Sequence, residues 1–284
     1  MSSFNDFALH PHSLKALDRM GIDTPTFIQE NTIHLLLEGQ DVIAQAPTGS
    51  GKTLAFALPI MEHVKQNERH SQALILVPTR ELARQVASVF DELCDKSNVR
   101  VTLLYGGVGY DKQEKQLRAG AQIVVGTPGR TLDHINRRTL KLDRIRIMIL
   151  DEADEMLDRG FAPDVEKILA KTPRSRQTAL FSATTPDWVH RIASKHLHDP
   201  EVVSSGENIE KPDIEHTVME VFREDKFQVL LRLLKEPGEG STLVFGRTKR
   251  GVQSLGRRLR QNGFNVAVLE GNLGQAQRDR EMAR

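Results

Sequence analysis

Cysteine occurs once, at Cys94, so no disulfide can form within the chain and a reducing compartment is expected. Aromatic residues are sparse at 5%, with a single tryptophan. Charge of one sign does not dominate: the formal net charge is +1, so bulk charge announces no polyanionic partner. A local basic surface remains compatible with that balance. No apolar run approaches the ~20 residues that a membrane helix needs. The first ten residues lack a basic segment followed by an apolar one, so no secretory signal is expected there. What is present suits packed globular structure: 39% hydrophobic and 27% charged residues over 284 positions, enough for one large domain or two.

Short apolar runs alternate with segments of helical periodicity. The runs are Val42–Ala44, Ala73–Val77, Val101–Leu104, Ile123–Val125, Ile147–Leu150 and Thr178–Phe181. Between them, Leu82, Val86, Val89, Phe90 and Leu93 recur at helical spacing. This order predicts an α/β fold whose parallel sheet is flanked by helices on both faces. Functional loops are then expected at the carboxyl ends of the strands.

The run Val42–Ala44 leads into Ala46-Pro47-Thr48-Gly49-Ser50-Gly51-Lys52-Thr53 and then into an apolar helix. Strand, glycine loop and helix together make an anion cradle of free N–H groups. Lys52 is expected to reach outer phosphates, and the Thr53 hydroxyl to hold Mg²⁺. Ala46 stands where the strict phosphate-loop pattern has Gly. The strand Ile147–Leu150 runs straight into Asp151-Glu152-Ala153-Asp154. A carboxylate at a strand end is the expected second half of a nucleoside triphosphate site. Asp151 would hold the metal and Glu152 would orient and deprotonate water. Simple capping of the following helix by acidic residues is the plainer alternative.

Three more loops follow strands: Pro78-Thr79-Arg80-Glu81-Leu82, Thr127-Pro128-Gly129-Arg130 and Ser182-Ala183-Thr184. Thr before Pro also starts helices, so these loops carry an ordinary structural reading as well. Threonine hydroxyls, arginine forks and helix N-termini are also the groups that grip phosphates. Gly106-Gly107 adds a loop where a backbone could come close.

Taken in order, Ala46–Thr53, Pro78–Leu82, Gly106-Gly107, Thr127–Arg130, Asp151–Asp154 and Ser182–Thr184 resemble the motifs of the DEAD-box RNA helicases. The resemblance spans residues 1–203. Gly21–Gln29 resembles the family's Q motif, with Phe4 at the upstream aromatic position, so that element falls within residues 4–30. The resemblance implies a RecA-like P-loop domain that takes ATP and Mg²⁺. It implies that Gln29 pairs with the adenine edge and Phe4 stacks on the base. It assigns phosphate and metal to Lys52, Thr53 and Asp151, catalysis to Glu152, and coupling to Asp154, Ser182 and Thr184. It assigns contacts with an RNA backbone to Arg80, Gly107, Thr127 and Arg130. A cytoplasmic ATP-dependent RNA helicase is implied, with no membrane partner and no oligomer called for. A non-catalytic ATP-dependent RNA clamp or regulatory fragment, and a DNA helicase, are the alternatives.

Residues 204–213 are polar and turn-rich and are expected to form a linker. A second α/β series follows over 214–284, with strands expected at Thr217–Phe222, Thr242–Phe245 and Asn265–Leu269. Leu243–Lys249 and Gln275–Arg278 resemble the start of the family's second RecA-like domain, whereas Glu270 and Asn272 depart from its usual His and Asp. About 70 residues is small for such a domain, so an incomplete one with exposed apolar surface is expected. The basic set Arg247, Lys249, Arg250, Arg257, Arg258 and Arg260 is expected to be mainly a solvated helix face. No His-Arg-x-Gly-Arg-x-Gly-Arg occurs among the 284 residues. In the family this motif supplies arginines to the transferred phosphoryl group. The chain alone is therefore expected to bind nucleotide with impaired hydrolysis.

Overall fold

Strand alternation decides the architecture. In the computed structural model, which describes residues 3–95, 97–206, 214–235 and 240–282, seven strands form one parallel sheet. They are β1 (Val42–Gln45), β2 (Ala73–Leu76), β3 (Val101–Leu104), β4 (Ile123–Gly126), β5 (Ile147–Asp151), β6 (Gln177–Ser182) and β7 (Glu201–Ser204). Their order is β3-β4-β2-β5-β6-β1-β7. The register sets Ala73 beside both Ile123 and Ile147, and Val42 beside Ala179.

Successive side chains point to opposite faces of the sheet, so each strand feeds two cores. Ala44, Ile75, Val125, Ile149 and Phe181 join one cluster. Helices α1 (Pro11–Met20), α2 (Phe27–Leu37), α3 (Lys52–His63) and α4 (Arg80–Leu93) cover that side. Ile43, Leu74, Val124, Met148 and Leu180 join the other. There they meet α6 (Pro128–Asn136), α7 (Ala153–Asp158), α8 (Ala162–Leu169) and α9 (Asp187–His196), with Leu117 of α5 (Asp111–Arg118) at the margin. This is the parallel α/β sheet with helices on both faces, in the RecA-like form.

The six expected strands are present, and β7 is an addition. Glu201-Val202-Val203-Ser204 is an edge strand with only two apolar residues, and Val202 is 66% exposed. An edge strand has little apolar signal to read. Ser205 continues it: its amide and hydroxyl both donate to the Gln45 carbonyl. Ser204 and Ser205 thus belong to the sheet rather than to the expected linker. Gly206 follows, its amide donating to Ser204 Oγ at 3.3 Å, and residues 207–213 of the expected linker lie outside the described residues.

The chain divides into two compact units, Met1–Glu210 and Lys211–Arg284. The second contains α10 (Lys226–Leu233), α11 (Lys249–Gln261) and α12 (Gln275–Met282). The three strands expected there do not form among the described residues. A strand exists only through its ladder of hydrogen bonds, and these segments pair with no neighbour. Their apolar side chains stand open, Phe222 at 77% and Phe245 at 89% exposure. The helices pack locally: the Arg258 guanidinium lies 3.6 Å from the Phe227 ring centroid. Arg260 donates to the Val266 carbonyl at 2.7 Å, and Lys249 donates to Asn272, so three of the six basic residues are used within the unit. Glu270 and Asn272, the departures from the family pattern, accept from Gln253 and Lys249 on α11 at 2.9 and 2.6 Å.

Candidate functional site

The loop Ala46–Thr53 leaves the carboxyl end of β1 and enters α3. Gly49 and Gly51 have φ of +84° and +90°, a region that L side chains rarely adopt. Gly51 is glycine for a second reason. A Cβ there would lie 2.5 Å from Gln29 Nε2. The Lys52 side chain is 6% exposed and its Nζ donates to the Ala46 carbonyl at 2.7 Å. The lysine is therefore held across its own loop, over the mouth of the cradle.

Gln29 fastens this loop to α2. Its Nε2 donates to the Gly51 carbonyl at 3.0 Å, and its Oε1 accepts from the Thr26 amide at 2.9 Å. The Thr26 hydroxyl donates to the Ser50 carbonyl at 2.7 Å. Thr26 was not among the expected site residues. Its signal is in the sequence, because Thr-x-x-Gln before an apolar run is a capping box. A carboxamide offers two N–H groups and two oxygen lone pairs, so Gln29 keeps one of each for another partner. Phe4 lies in a short 3₁₀ turn, Phe4–Asp6, and is 3% exposed. Its ring packs 6.2 Å from that of Phe7.

Asp151 ends β5 and is 2% exposed. Burial pushes its carboxyl up to about 7, against the opposing pull of Lys52. Glu152 follows with φ of +53°, a left-handed backbone costly for a residue with a Cβ. This turn sends the chain from β5 into α7. Burial raises the Glu152 carboxyl too, and Lys52 again opposes. Asp154 behaves differently. Burial acts to raise it, but hydrogen bonds from Thr184 and Ser182 outweigh burial and hold it below the ordinary aspartate range. Asp154 Oδ2 accepts from the Thr184 amide at 2.9 Å and its hydroxyl at 2.8 Å. The Asp154 amide donates to Ser182 Oγ at 3.2 Å. Thr48, Lys52, Glu152, Asp154 and Thr184 line one cleft of about 370 Å³. Loops from β1, β5 and β6 thus converge on a single point at the carboxyl edge.

A second group gathers beyond β2, β3 and β4. The Arg80 guanidinium lies against Gly106 and Gly107. Arg130 is 9% exposed, and both its terminal nitrogens donate to the Val108 carbonyl at 3.0 Å. One of them also donates to Gln113 Oε1, and the guanidinium stacks 4.1 Å from the Tyr110 ring centroid. Gln113 Nε2 donates to the Tyr105 carbonyl, and His134 bonds Gln113 Oε1 at 2.9 Å. Arg130 and Gln113 therefore hold the loop 105–108 at both ends. Tyr110, Gln113 and His134 were not among the expected site residues: Tyr110 is a half-buried residue just before α5, and the polar Gln113 and His134 on amphipathic helices give no warning that they are buried. Thr127 is 9% exposed at the start of α6.

Residues 26–192 match the family model described as DEAD/DEAH box helicase. The chain belongs to that family. It is 47% identical over 279 residues to the ATP-dependent RNA helicase CshA of Listeria monocytogenes, covering 98% of this chain and 54% of that protein. It is 44% identical over 284 residues to the ATP-dependent RNA helicase DeaD of Haemophilus influenzae, covering 99% and 46%. The chain thus spans about half the length of the curated relatives it matches. Among solved structures it resembles S. cerevisiae Dbp5 bound to RNA and ADP BeF3, with TM-score 0.89 and 33% identity over all of this chain and 73% of that one. It also resembles a DEAD box protein from the hyperthermophile Methanococcus jannaschii, with TM-score 0.70 and 42% identity, covering 99% and 76%. The acidic turn Asp151–Asp154 reads Asp-Glu-Ala-Asp and lies within the matched residues. No helix among the described residues is long and apolar enough to cross a membrane.

Proposed function

We propose that the protein containing this chain is an ATP-dependent RNA helicase of DEAD-box type, acting in the cytoplasm on RNA through its backbone. One observation carries the reading: the double hydrogen bond of Asp154 to Thr184, set in the same cleft as Lys52 and Glu152. It ties the loop beside the phosphate cradle to the loop after β6. A change at the nucleotide then has a route to a second strand end.

Residues 46–53 would cradle the phosphates, with Lys52 released from the Ala46 carbonyl to meet them. The spare donor and acceptor of Gln29 would read the adenine edge, and Phe4 would supply a stacking ring on leaving its packing against Phe7. Asp151 and the Thr53 hydroxyl are hard oxygen donors, the type that suits magnesium. Magnesium commonly takes one or two carboxylates and completes its shell with phosphate oxygens and water. The bound ion would supply positive charge against the developing phosphate charge. Lys52 and that charge would bring the Asp151 carboxyl back to its ionised form. Glu152 would accept the proton of the attacking water; its raised affinity for protons suits a general base.

Arg80, Gly107 and Thr127 would meet the RNA backbone, which carries no sequence information. Arg130 would act by holding the Val108 carbonyl and so shaping the loop that RNA approaches. The units Met1–Glu210 and Lys211–Arg284 are proposed to be an ATP-binding RecA-like domain and part of a second one. The test is RNA-stimulated ATP hydrolysis and duplex separation by the full-length gene product, with Glu152→Gln as the comparison. Both activities are expected to fall at least a hundredfold in the variant while ATP binding persists. ATP-dependent RNA retention without turnover in the native protein would favour a clamp instead.

A further inference from the structure

The end of the sheet opposite these loops carries a basic groove that the nucleotide and RNA motifs do not use. Residues 69–72, 98–100, 118–122 and 144–146 immediately precede β2, β3, β4 and β5. These four strands are adjacent in the sheet. With strands of four or five residues, the two ends lie roughly 13 Å or more apart.

Three clefts run together here, of about 660, 520 and 400 Å³, and all three share Arg69. Arg69, Arg100, Arg118, Arg138, Lys141 and Arg144 line them, all exposed. Their acids are few. Glu68 is taken by Arg146 at 2.6 Å, with His70 and Lys65 close by. Glu114 is taken by Arg118 and Arg137. Asp143 lies 3.9 Å from Arg144, at the limit of an ion pair. Among the described residues Arg69, Arg138 and Lys141 have no carboxylate within ion-pair distance.

Helix ends explain only part of this charge. Arg118 and Arg138 sit at or just beyond the carboxyl ends of α5 and α6, where cations are favourable. Arg69, Lys141 and Arg144 lie outside any helix and gain nothing from that field. They are also held on a fixed floor. Gly120 has φ of +82°, and a Cβ there would lie 2.9 Å from the Arg69 carbonyl oxygen, so the two loops touch backbone to backbone. Gln72, 1% exposed, ties the loop from both sides through Lys65 N and O. Gln122, also 1% exposed, reaches the Gln66 carbonyl and the Arg100 amide.

We propose that this groove binds a single-stranded RNA segment flanking the one held at the motif loops. The observations favour RNA over an acidic protein. The groove offers mainly forked arginine donors, which match phosphate geometry. It presents no exposed aromatic or large apolar anchor of the kind that protein interfaces use. Binding in this groove does not depend on nucleotide.

The test is fluorescence anisotropy of a labelled 20-nucleotide oligouridylate with the 284-residue chain, without nucleotide or magnesium, between 50 and 200 mM KCl. Arg69→Gln, Lys141→Gln and Arg144→Gln are combined in one variant. A control variant of equal charge combines Lys15→Gln, Arg191→Gln and Lys195→Gln on α1 and α9. The groove variant is expected to bind about tenfold more weakly at 50 mM. Its slope of log affinity against log salt should fall by about 2, from three lost phosphate contacts at ~0.7 each. The control should stay within about twofold, and both variants should keep native melting and nucleotide binding. Equal losses in the two variants, or none in the groove variant, would overturn the proposal. So would competition by polyglutamate as strong, charge for charge, as by RNA.

Discussion

Asp154 and Thr184 are joined twice, through one carboxylate oxygen that accepts both the Thr184 amide at 2.9 Å and its hydroxyl at 2.8 Å. They stand 30 residues apart in sequence and follow different strands. The link makes the acidic turn and the loop after β6 one mechanical element.

Thr184→Ala removes the hydroxyl but leaves the amide. Thermal or denaturant unfolding should show a loss of about 1 kcal/mol or less, the scale of one partly exposed hydrogen bond. RNA stimulation of hydrolysis in the full-length protein should fall far more than ATP affinity. A double-mutant cycle with Asp154→Asn should be strongly non-additive. Additive losses would separate the two residues.

Asp151 carries a stability cost. Its folded carboxyl titrates at about 7, above its ordinary value near 3.8. Folding therefore favours the protonated form. The stability it allows is fully present below pH ~3.8 and is lost as pH rises through about 7. Asp151→Asn, in the presence of a chelator, should melt higher than the native chain at pH 8, with the gap closing as pH falls toward 5. Its nucleotide hydrolysis should be lost. Lower melting at pH 8 would contradict the burial argument.

His134 gives the opposite sign. It is fully buried, and burial followed by the Arg130 charge lowers its pKa below 6.5. The unfolded chain then binds a proton that the folded one refuses. Stability is expected to fall as pH drops below ~6.5. His134→Asn should remove part of that slope, read from melting temperatures at pH 7.5 and 5.5. An unchanged slope would mean that other groups set it.

Hydrolysis by the 284-residue chain is expected to be weak even with saturating RNA, and strand separation absent. The sequence offers Lys52 and Glu152 but no His-Arg-x-Gly-Arg-x-Gly-Arg to place arginines on the transferred phosphoryl group. Robust unwinding by this chain would show that the charge is met in another way.

The parallel sheet was legible because buried strands read as continuous apolar runs, as Ala73–Leu76 and Ile147–Leu150 do. β7 escaped because Glu201-Val202-Val203-Ser204 lies at an edge and owes its place to pairing with β1. The strands expected after residue 214 had the right side chains but lacked partners, and composition cannot supply a ladder. In the site, Lys52, Asp151 and Glu152 were visible because chemistry constrains their spacing. Gln113 and His134 were not, since their burial arises from tertiary contacts, Gln113 with the Tyr105 carbonyl and His134 with Gln113. The direction of Arg130, into the Val108 carbonyl, also depends on tertiary structure alone.

Nucleotide discrimination at Ala46–Thr53 is the most direct test of the whole reading. A fluorescent ATP analogue bound to the 284-residue chain would be displaced with ATP and with GTP, in the native chain and in Lys52→Ala and Gln29→Ala. ATP should compete at least tenfold better than GTP, a difference of about 1.4 kcal/mol. Lys52→Ala should weaken both nucleotides, and Gln29→Ala should erase the preference between them. Equal competition by ATP and GTP in the native chain, with Lys52→Ala indifferent, would contradict an adenine-nucleotide site at this loop.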